Sequence, residues 1–368
     1  MQRLQPKPNI VHLPVYQPGK SAEEVKRELG LTEVIKLASN ENPYGCSPAV
    51  KEAIRRELEH TSIYPDGAAV ELSNRLARHL GVQPDQLIFG AGSDEVILMI
   101  ARAYLSPGDE TIMADMTFSQ YRHNAEVENA RIVEVPLKDG VHDLQGMLER
   151  VTDKTKIIWV CNPNNPTGTI VTEAELVRFL DAVPPGVLVV LDEAYCEYID
   201  DPAYPDSIRL LGRYPNLMVL RTFSKIYGMA ALRIGYGIGH PDVIRAVNQV
   251  RGPFNTTRFS QAAAIAALED QDFIRRCREA NKRELKTLQA AFDRFGLRHF
   301  PAYGNFIMVD VRRDAQTLFQ ALLRRGIIVR AGFKGLPTCV RITVGTPEQN
   351  GKLIAALEQV LQEIAVQV

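Results

Sequence analysis

Between residues 48 and 239 the chain alternates helix-period amphipathic stretches with short runs of Val, Ile and Leu. The runs predict strands at 87–89, 111–113, 132–135, 156–160, 187–191, 217–220 and 234–238. Several of them, such as Val187-Leu188-Val189-Val190-Leu191, show no polar alternation. A strand that is apolar on both faces belongs inside a mostly parallel sheet with helices on either side. The working loops of such sheets gather beyond the carboxyl ends of the strands. From residue 256 the pattern changes to an α+β one. An Ala-rich helix at 261–268 and a long amphipathic helix at 272–295, closed by Gly296, precede strands at 306–309 and 340–344. Those strands alternate with helices beginning near Asp314 and Pro347. The first forty residues are irregular apart from a short helix opened by Ser21 and Glu24 at capping-box spacing. The expected division is an arm over 1–40, a large domain over 41–255 and a small C-terminal domain over 256–368.

Composition narrows the function classes. A chain of 368 residues exceeds what one core usually supports, in keeping with two lobes. A formal net charge of −1 gives no footprint for nucleic acid or an anionic membrane. The start, Met1-Gln2-Arg3-Leu4-Gln5-Pro6, lacks a signal-like apolar run, and no stretch approaches the roughly 18 apolar residues of a membrane span. Cys46, Cys161, Cys196, Cys277 and Cys339 are scattered without Cys-x-x-Cys or His spacing, so no metal site is expected. They read as small buried hydrophobes in a reducing compartment, and the expected location is the cytoplasm.

The chemistry-bearing residues follow successive strands. Thr222-Phe223-Ser224-Lys225 precedes Arg233 by eight positions. A lysine that attacks a carbonyl must do so as the neutral amine, and hydroxyls with an arginine suit a phosphate on the carbonyl carrier. Alone, such a lysine is more often an ordinary surface residue. Asp192-Glu193-Ala194-Tyr195 ends an apolar strand, where a carboxylate is costly unless paired. It can be paired in a plain salt bridge, or it can keep a pyridine nitrogen protonated while Tyr195 reaches the ring's phenolic oxygen. Asn165, in the rigid turn Asn162-Pro163-Asn164-Asn165-Pro166-Thr167-Gly168, can donate to the same oxygen, or the turn is structural only. Gly90-Ala91-Gly92-Ser93-Asp94 opens a helix and can seat a phosphate on backbone N–H groups, though short glycine turns are common. Phe118 is either a core residue or a ring lying on an aromatic cofactor. Taken together, the parts match one cofactor, pyridoxal 5′-phosphate (PLP), and point to amine transfer.

On these residues the sequence resembles the aspartate-aminotransferase superfamily of PLP enzymes, fold type I, and within it the branch that acts on histidinol phosphate. The most specific segments are 37–45, 64–67, 164–168, 192–195, 222–225 and 340–346, and the likeness runs through essentially the whole chain. It implies a large domain with a mostly parallel seven-stranded sheet plus a smaller α+β domain. It also implies a homodimer with shared sites, in which Tyr64 reaches the phosphate of the other subunit's cofactor. Lys225 would carry the cofactor covalently and then shuttle a proton, while Asp192, Asn165 and Tyr195 would hold the ring. Gly92, Ser93, Thr222, Ser224 and Arg233 would hold the phosphate, Asp94 would lie at the cofactor, and Phe118 would stack on the ring where some relatives have tyrosine. Tyr16, Asn42, Arg330 and Arg341 would meet substrate. The implied reaction interconverts L-histidinol phosphate plus 2-oxoglutarate with imidazole-acetol phosphate plus L-glutamate, in histidine biosynthesis. The stretch 330–337 also looks like relatives that use aromatic amino acids, so a broad-specificity aminotransferase stands as the alternative. A PLP decarboxylase of a phosphorylated amino acid ranks lower, and a non-enzymatic regulator on the same fold lower still.

Overall fold

In the computed structural model, which describes residues 4–15 and 19–366, the long apolar runs become the middle of one sheet. Among the described residues twelve strands form three sheets. In chain order they are β1 (Ile35–Lys36), β2 (Leu87–Gly90), β3 (Glu110–Ala114), β4 (Arg131–Val135), β5 (Thr155–Cys161) and β6 (Leu188–Asp192). There follow β7 (Leu217–Thr222), β8 (Gly235–Gly239), β9 (Arg298–His299), β10 (Phe306–Asp310), β11 (Ile327–Ile328) and β12 (Cys339–Thr343). The large sheet has seven strands in the order β2-β8-β7-β6-β5-β3-β4. Neighbours are parallel, except that β8 runs antiparallel to both β2 and β7. The seven expected strands of this sheet are therefore all present.

The unbroken apolar runs are explained by what lies on each face. Ile158, Val160, Val189, Leu191 and Val219 point into one core, which helices Val70–Leu80 and Glu173–Ala182 help to build. Their neighbours Ile157, Trp159, Val190, Met218 and Leu220 point into the opposite core with helices Ser93–Tyr104 and Pro241–Asn248. Period-two alternation thus buries every residue, because both faces are covered. The reversed strand matters for the site. Register pairs Thr222 with Gly235 and Gly90 with Gly235, so β8 begins at the edge where β2 and β7 end. Residues just before β8 therefore stand beside residues just after β7.

The smaller core surrounds the antiparallel sheet β12-β10-β9 and the parallel pair β1 with β11. Two segments next to the expected boundaries are packed in these cores. Part of the expected arm over 1–40 is docked. Ile35 and Leu37 belong to the smaller core, and Val25, 1% exposed, packs with Leu323 and Ile328. The helix Ala22–Leu29 is too short to be stable alone. Burying one valine side chain offers about 1.5–3 kcal/mol for docking it. A two-residue strand such as β1 carries no period for the eye to find.

Just past the expected boundary at 255–256 the chain joins both cores. Helix Arg258–Glu269 lies on helices Pro48–Glu57 and Val70–Leu80. Its Ala263, Ala264 and Ala267 join the large core, as do Phe273, Ile274 and Cys277 of the next helix, Gln271–Arg294. Leu285, Leu288 and Phe292 of that same helix belong to the smaller core, so one long helix spans both.

Candidate active site

The loops after β2, β3, β5, β6 and β7, and the turn before β8, meet at one edge of the large sheet. Cross-strand register sets Cys161 beside Asp192 and Asp192 beside Leu220, so Asp192 sits between the loops that carry Asn165 and Lys225.

Lys225 is half-buried there. Its Nζ donates to the Ser39 carbonyl at 3.5 Å and stands 5.5 Å from the centre of the Tyr195 ring. Loss of surrounding water, then the charge of Arg341, lowers its pKa to about 8, against the opposing pull of Asp94 and Glu41. A useful share of neutral amine therefore exists near neutral pH.

Asp192 is 3% exposed. Its Oδ2 accepts from the Tyr121 hydroxyl at 2.7 Å and its Oδ1 from the Ala194 N–H at 3.2 Å. Burial raises its pKa to about 6, with the Tyr121 hydrogen bond acting the other way. Among the described residues no cation pairs with it. A buried carboxylate lacking a cation is costly, and a protonated ring nitrogen is a partner of the kind it needs.

The other end of the cleft suits a phosphate. The Thr222 hydroxyl donates to Ser224 Oγ at 3.0 Å, and Arg233 Nη1 donates to the same Oγ at 3.4 Å. Arg233 Nη2 donates to the Ala91 carbonyl at 3.1 Å and lies 3.5 Å from Asp94 Oδ2. Gly92 caps helix Ser93–Tyr104 without a side-chain bond to its first turn, so those N–H groups stay available to an anion. Two glycines make room. A Cβ on Gly92, where φ is 84°, would stand 2.5 Å from Arg233 Nη2, and one on Gly235 would stand 2.4 Å from Ser93 N. The residues present fit a phosphorylated pyridine cofactor at both of its ends.

Between those ends, Tyr195 Oη accepts from Asn40 Nδ2 at 2.9 Å. Arg341 donates to Asn165 Oδ1 and, at 2.7 Å, to the Ala38 carbonyl. Its guanidinium stands 5.4 Å from the Phe306 ring and 5.8 Å from the Phe333 ring. Phe118 meets the Tyr121 ring edge-on at 5.6 Å, and Tyr121 stacks on Trp159 at 4.8 Å. The loop carrying Phe118 is tied to the 162–168 turn, because Thr117 Oγ1 donates to Asn164 Oδ1 at 2.8 Å and Asn164 Nδ2 donates to the Met116 carbonyl at 3.1 Å.

Lys225, Asp192, Tyr195, Asn165, Phe118, Gly92, Ser93, Asp94, Thr222, Ser224, Arg233 and Arg341 thus lie together at this edge of the sheet. Others do not. Asn42, expected at substrate, donates to the Ile226 carbonyl at 2.7 Å and to Cys277 Sγ at 3.3 Å, while its Oδ1 accepts from Tyr44 N–H. Its amide is spent locking the loop behind Lys225. Tyr64 is 75% exposed and stacks on Phe254 at 4.7 Å. Arg330 is exposed, its backbone paired with Arg341, and a Cβ on Gly19 would lie 3.6 Å from its Nη1. Tyr16 lies outside the described residues. Two residues escaped notice in the sequence. Asn40 holds Tyr195, and its signal was its place in Ser39-Asn40-Glu41-Asn42. Tyr121 holds Asp192, and its signal was a helical step of three after Phe118.

Among the described residues no helix is long and apolar enough to cross a membrane, and no His, Cys, Asp and Glu group has the makings of a metal site. Residues 32–357 match the family described as aminotransferase class I and II. A histidinol-phosphate aminotransferase of Geobacillus sp. (strain WCH70) is 58% identical over 352 residues, which is 95% of this chain and 96% of that protein. One from Brevibacillus brevis is 55% identical over 97% of this chain and 99% of that protein. Among solved structures, the histidinol-phosphate aminotransferase from Sinorhizobium meliloti in complex with pyridoxal-5′-phosphate superposes with a TM-score of 0.90. It is 32% identical, and the likeness covers 97% of each chain.

Proposed function

Because the chain belongs to the class I and II aminotransferase family, we propose that it is a PLP-dependent aminotransferase that interconverts L-histidinol phosphate and 2-oxoglutarate with imidazole-acetol phosphate and L-glutamate. The observation that carries this is the presence at one sheet edge of a lysine with lowered pKa and a buried carboxylate with no cationic partner among the described residues, beside a glycine-lined anion seat. The substrate follows the relatives at 52–58% identity, all described as histidinol-phosphate aminotransferases. Its place is then histidine biosynthesis, in the cytoplasm.

PLP, when bound, supplies a carbonyl for the amine and a protonated ring that spreads the charge left by a departing proton. The chain's own residues do the rest. Asp192 keeps the ring nitrogen protonated. Tyr195, held by Asn40, and Asn165, held by Arg341, orient the phenolic oxygen. Arg233, Ser224, Thr222 and the backbone N–H groups of Ser93 and Asp94 in the first turn after Gly92 would grip the phosphate, and Phe118 would cover the ring. Lys225 would hold the cofactor through its amine and, with its lowered pKa, would serve as the base that takes and returns the substrate Cα proton. Arg341 meets the substrate carboxylate of glutamate, and Arg330, exposed but paired through its backbone with Arg341, would turn inward to meet the remote phosphate, since a planar guanidinium can grip either anion through two N–H groups.

The half-buried Phe333 beside Arg341 favours a second reading, in which aromatic amino acids are also accepted. Turnover of L-histidinol phosphate and of L-phenylalanine, each with 2-oxoglutarate, separates the two. The phosphate substrate is expected to win in kcat/KM by at least about tenfold, the worth of one charge-assisted hydrogen bond. Equal or reversed values would make the enzyme an aromatic aminotransferase, and carbon dioxide release from the phosphate substrate would make it a decarboxylase.

The working form is a homodimer. Tyr64, Phe254, Leu58, Ile63 and Val70 are large apolar residues left 46–75% exposed over neighbouring segments, a surface that suits a second copy. Tyr64 then reaches the phosphate in the other subunit's site. Sedimentation should give twice the mass of one chain, and a fully active monomer would contradict the shared site.

A further inference from the structure

We propose that Tyr121 is a positioning residue for Asp192, its hydroxyl holding the carboxylate ionised and turned toward the cleft. This role rests on the reading of Asp192 as the partner of the cofactor's ring nitrogen, and adds the group that keeps it fit for that task.

Tyr121 is fully buried, and its hydroxyl lies 2.7 Å from Asp192 Oδ2. Its ring has little freedom. It stacks on Trp159 at 4.8 Å with an interplanar angle of 10°, and Phe118 closes on it edge-on at 5.6 Å. Trp159 is itself tied, since its Nε1–H donates to Thr111 Oγ1 at 2.8 Å and that hydroxyl donates to the Ile157 carbonyl at 3.1 Å. A line of fixed contacts thus runs from β3 and β5 to the carboxylate. A buried tyrosine needs some acceptor, so a bond alone does not establish a role. The surroundings of Asp192 supply the rest.

Burial works against the charged form of Asp192, and the carboxylates of Asp94 and Glu193 add to that pressure. Cys161 and Tyr195 also face it, but burial raises both of their pKa values, so they stay neutral in the working range. Opposing these, the Tyr121 hydroxyl and the Ala194 N–H each favour the carboxylate. The Tyr121 phenol is itself pushed well above its ordinary value by burial, so it remains a donor at every working pH. Without its hydroxyl, Asp192 keeps one donor against two like charges and a dry site. Tyr121 also shares a helix with the residue next to Phe118, so the groups proposed to cover the ring and to hold its nitrogen partner move together.

The test is Tyr121→Phe, which keeps the stack on Trp159. In the full-length chain without cofactor, the carboxyl carbon of Asp192, assigned by its absence in Asp192→Asn, is titrated by ¹³C NMR. Its midpoint should rise by about one unit or more above wild type. With PLP bound, the acid limb of kcat/KM should move upward too, so that activity lost at pH 6 is largely regained at pH 8.5. An unchanged midpoint in the cofactor-free chain would overturn the role whatever the cofactor proves to be. A raised midpoint with a wild-type acid limb would overturn its link to the reaction. Should the variant not fold, the ring carbon bearing the Tyr121 hydroxyl is followed in the wild-type chain. It should inflect at the Asp192 midpoint and lose that inflection in Asp192→Asn; a flat titration would equally overturn the proposal.

Discussion

Lys225→Ala is expected to lose about four powers of ten or more in kcat, since one side chain serves as both anchor and proton carrier. Folding should not suffer. The lysine's polar contact in the protein is a long 3.5 Å bond to the Ser39 carbonyl. Its pKa in the folded chain is lowered from 10.5 to about 8, so the unfolded chain holds this proton more tightly. Below pH 8 the charged lysine therefore works against folding, and its removal should leave melting unchanged or slightly raised. Calorimetry alongside steady-state turnover checks both halves. Loss of activity together with collapse of the fold would point to a structural lysine instead.

Asp192→Asn is expected to cost about two powers of ten or more in kcat, the loss seen when one preorganised electrostatic partner is removed. The amide keeps the shape and its one oxygen can still accept from Tyr121 or from the Ala194 N–H, so the packing volume is preserved while the charge and one acceptor are lost. Stability should move the other way. The carboxyl's folded pKa is raised from 3.8 to about 6, so the folded chain binds that proton more tightly than the unfolded chain does. Its favourable contribution is complete below 3.8 and is lost as pH rises through about 6. At pH 8 the ionised group is carried at a cost, and the cofactor-free variant should melt no lower than wild type. A near-normal kcat in Asp192→Asn would refute the proposed role of Asp192.

These residues were legible in the sequence because of where they sit. Val187 to Leu191 announces a strand covered on both faces, and the polar group that ends it, Asp192, has to be at the sheet edge. The same reasoning finds Lys225 after β7 and Asn165 after β5. Less visible was the reversed direction of β8, yet that reversal is what brings Arg233 next to Ser224. Contacts between lobes left the weakest trace. Asn40 and Asn42 stand in one short motif, and nothing local says that the first faces Tyr195 while the second turns away to Ile226. Tertiary pairing decides it, as Asn40 Oδ1 accepts from Thr343 Oγ1 on a strand near the far end of the chain. The helix at 258–269 is a related case, since its alanine face fits a core built by residues far earlier in the chain. Tyr121 leaves little trace because a buried aromatic residue on a helix has an ordinary core role, which it also fills.

Reduction of the PLP-loaded protein with borohydride, followed by peptide mass mapping, tests the central claim most directly. The cofactor's mass should stay on the peptide containing Lys225 and be absent from the Lys225→Ala protein. Trapping on a different lysine, or none in a protein saturated with PLP, would contradict it.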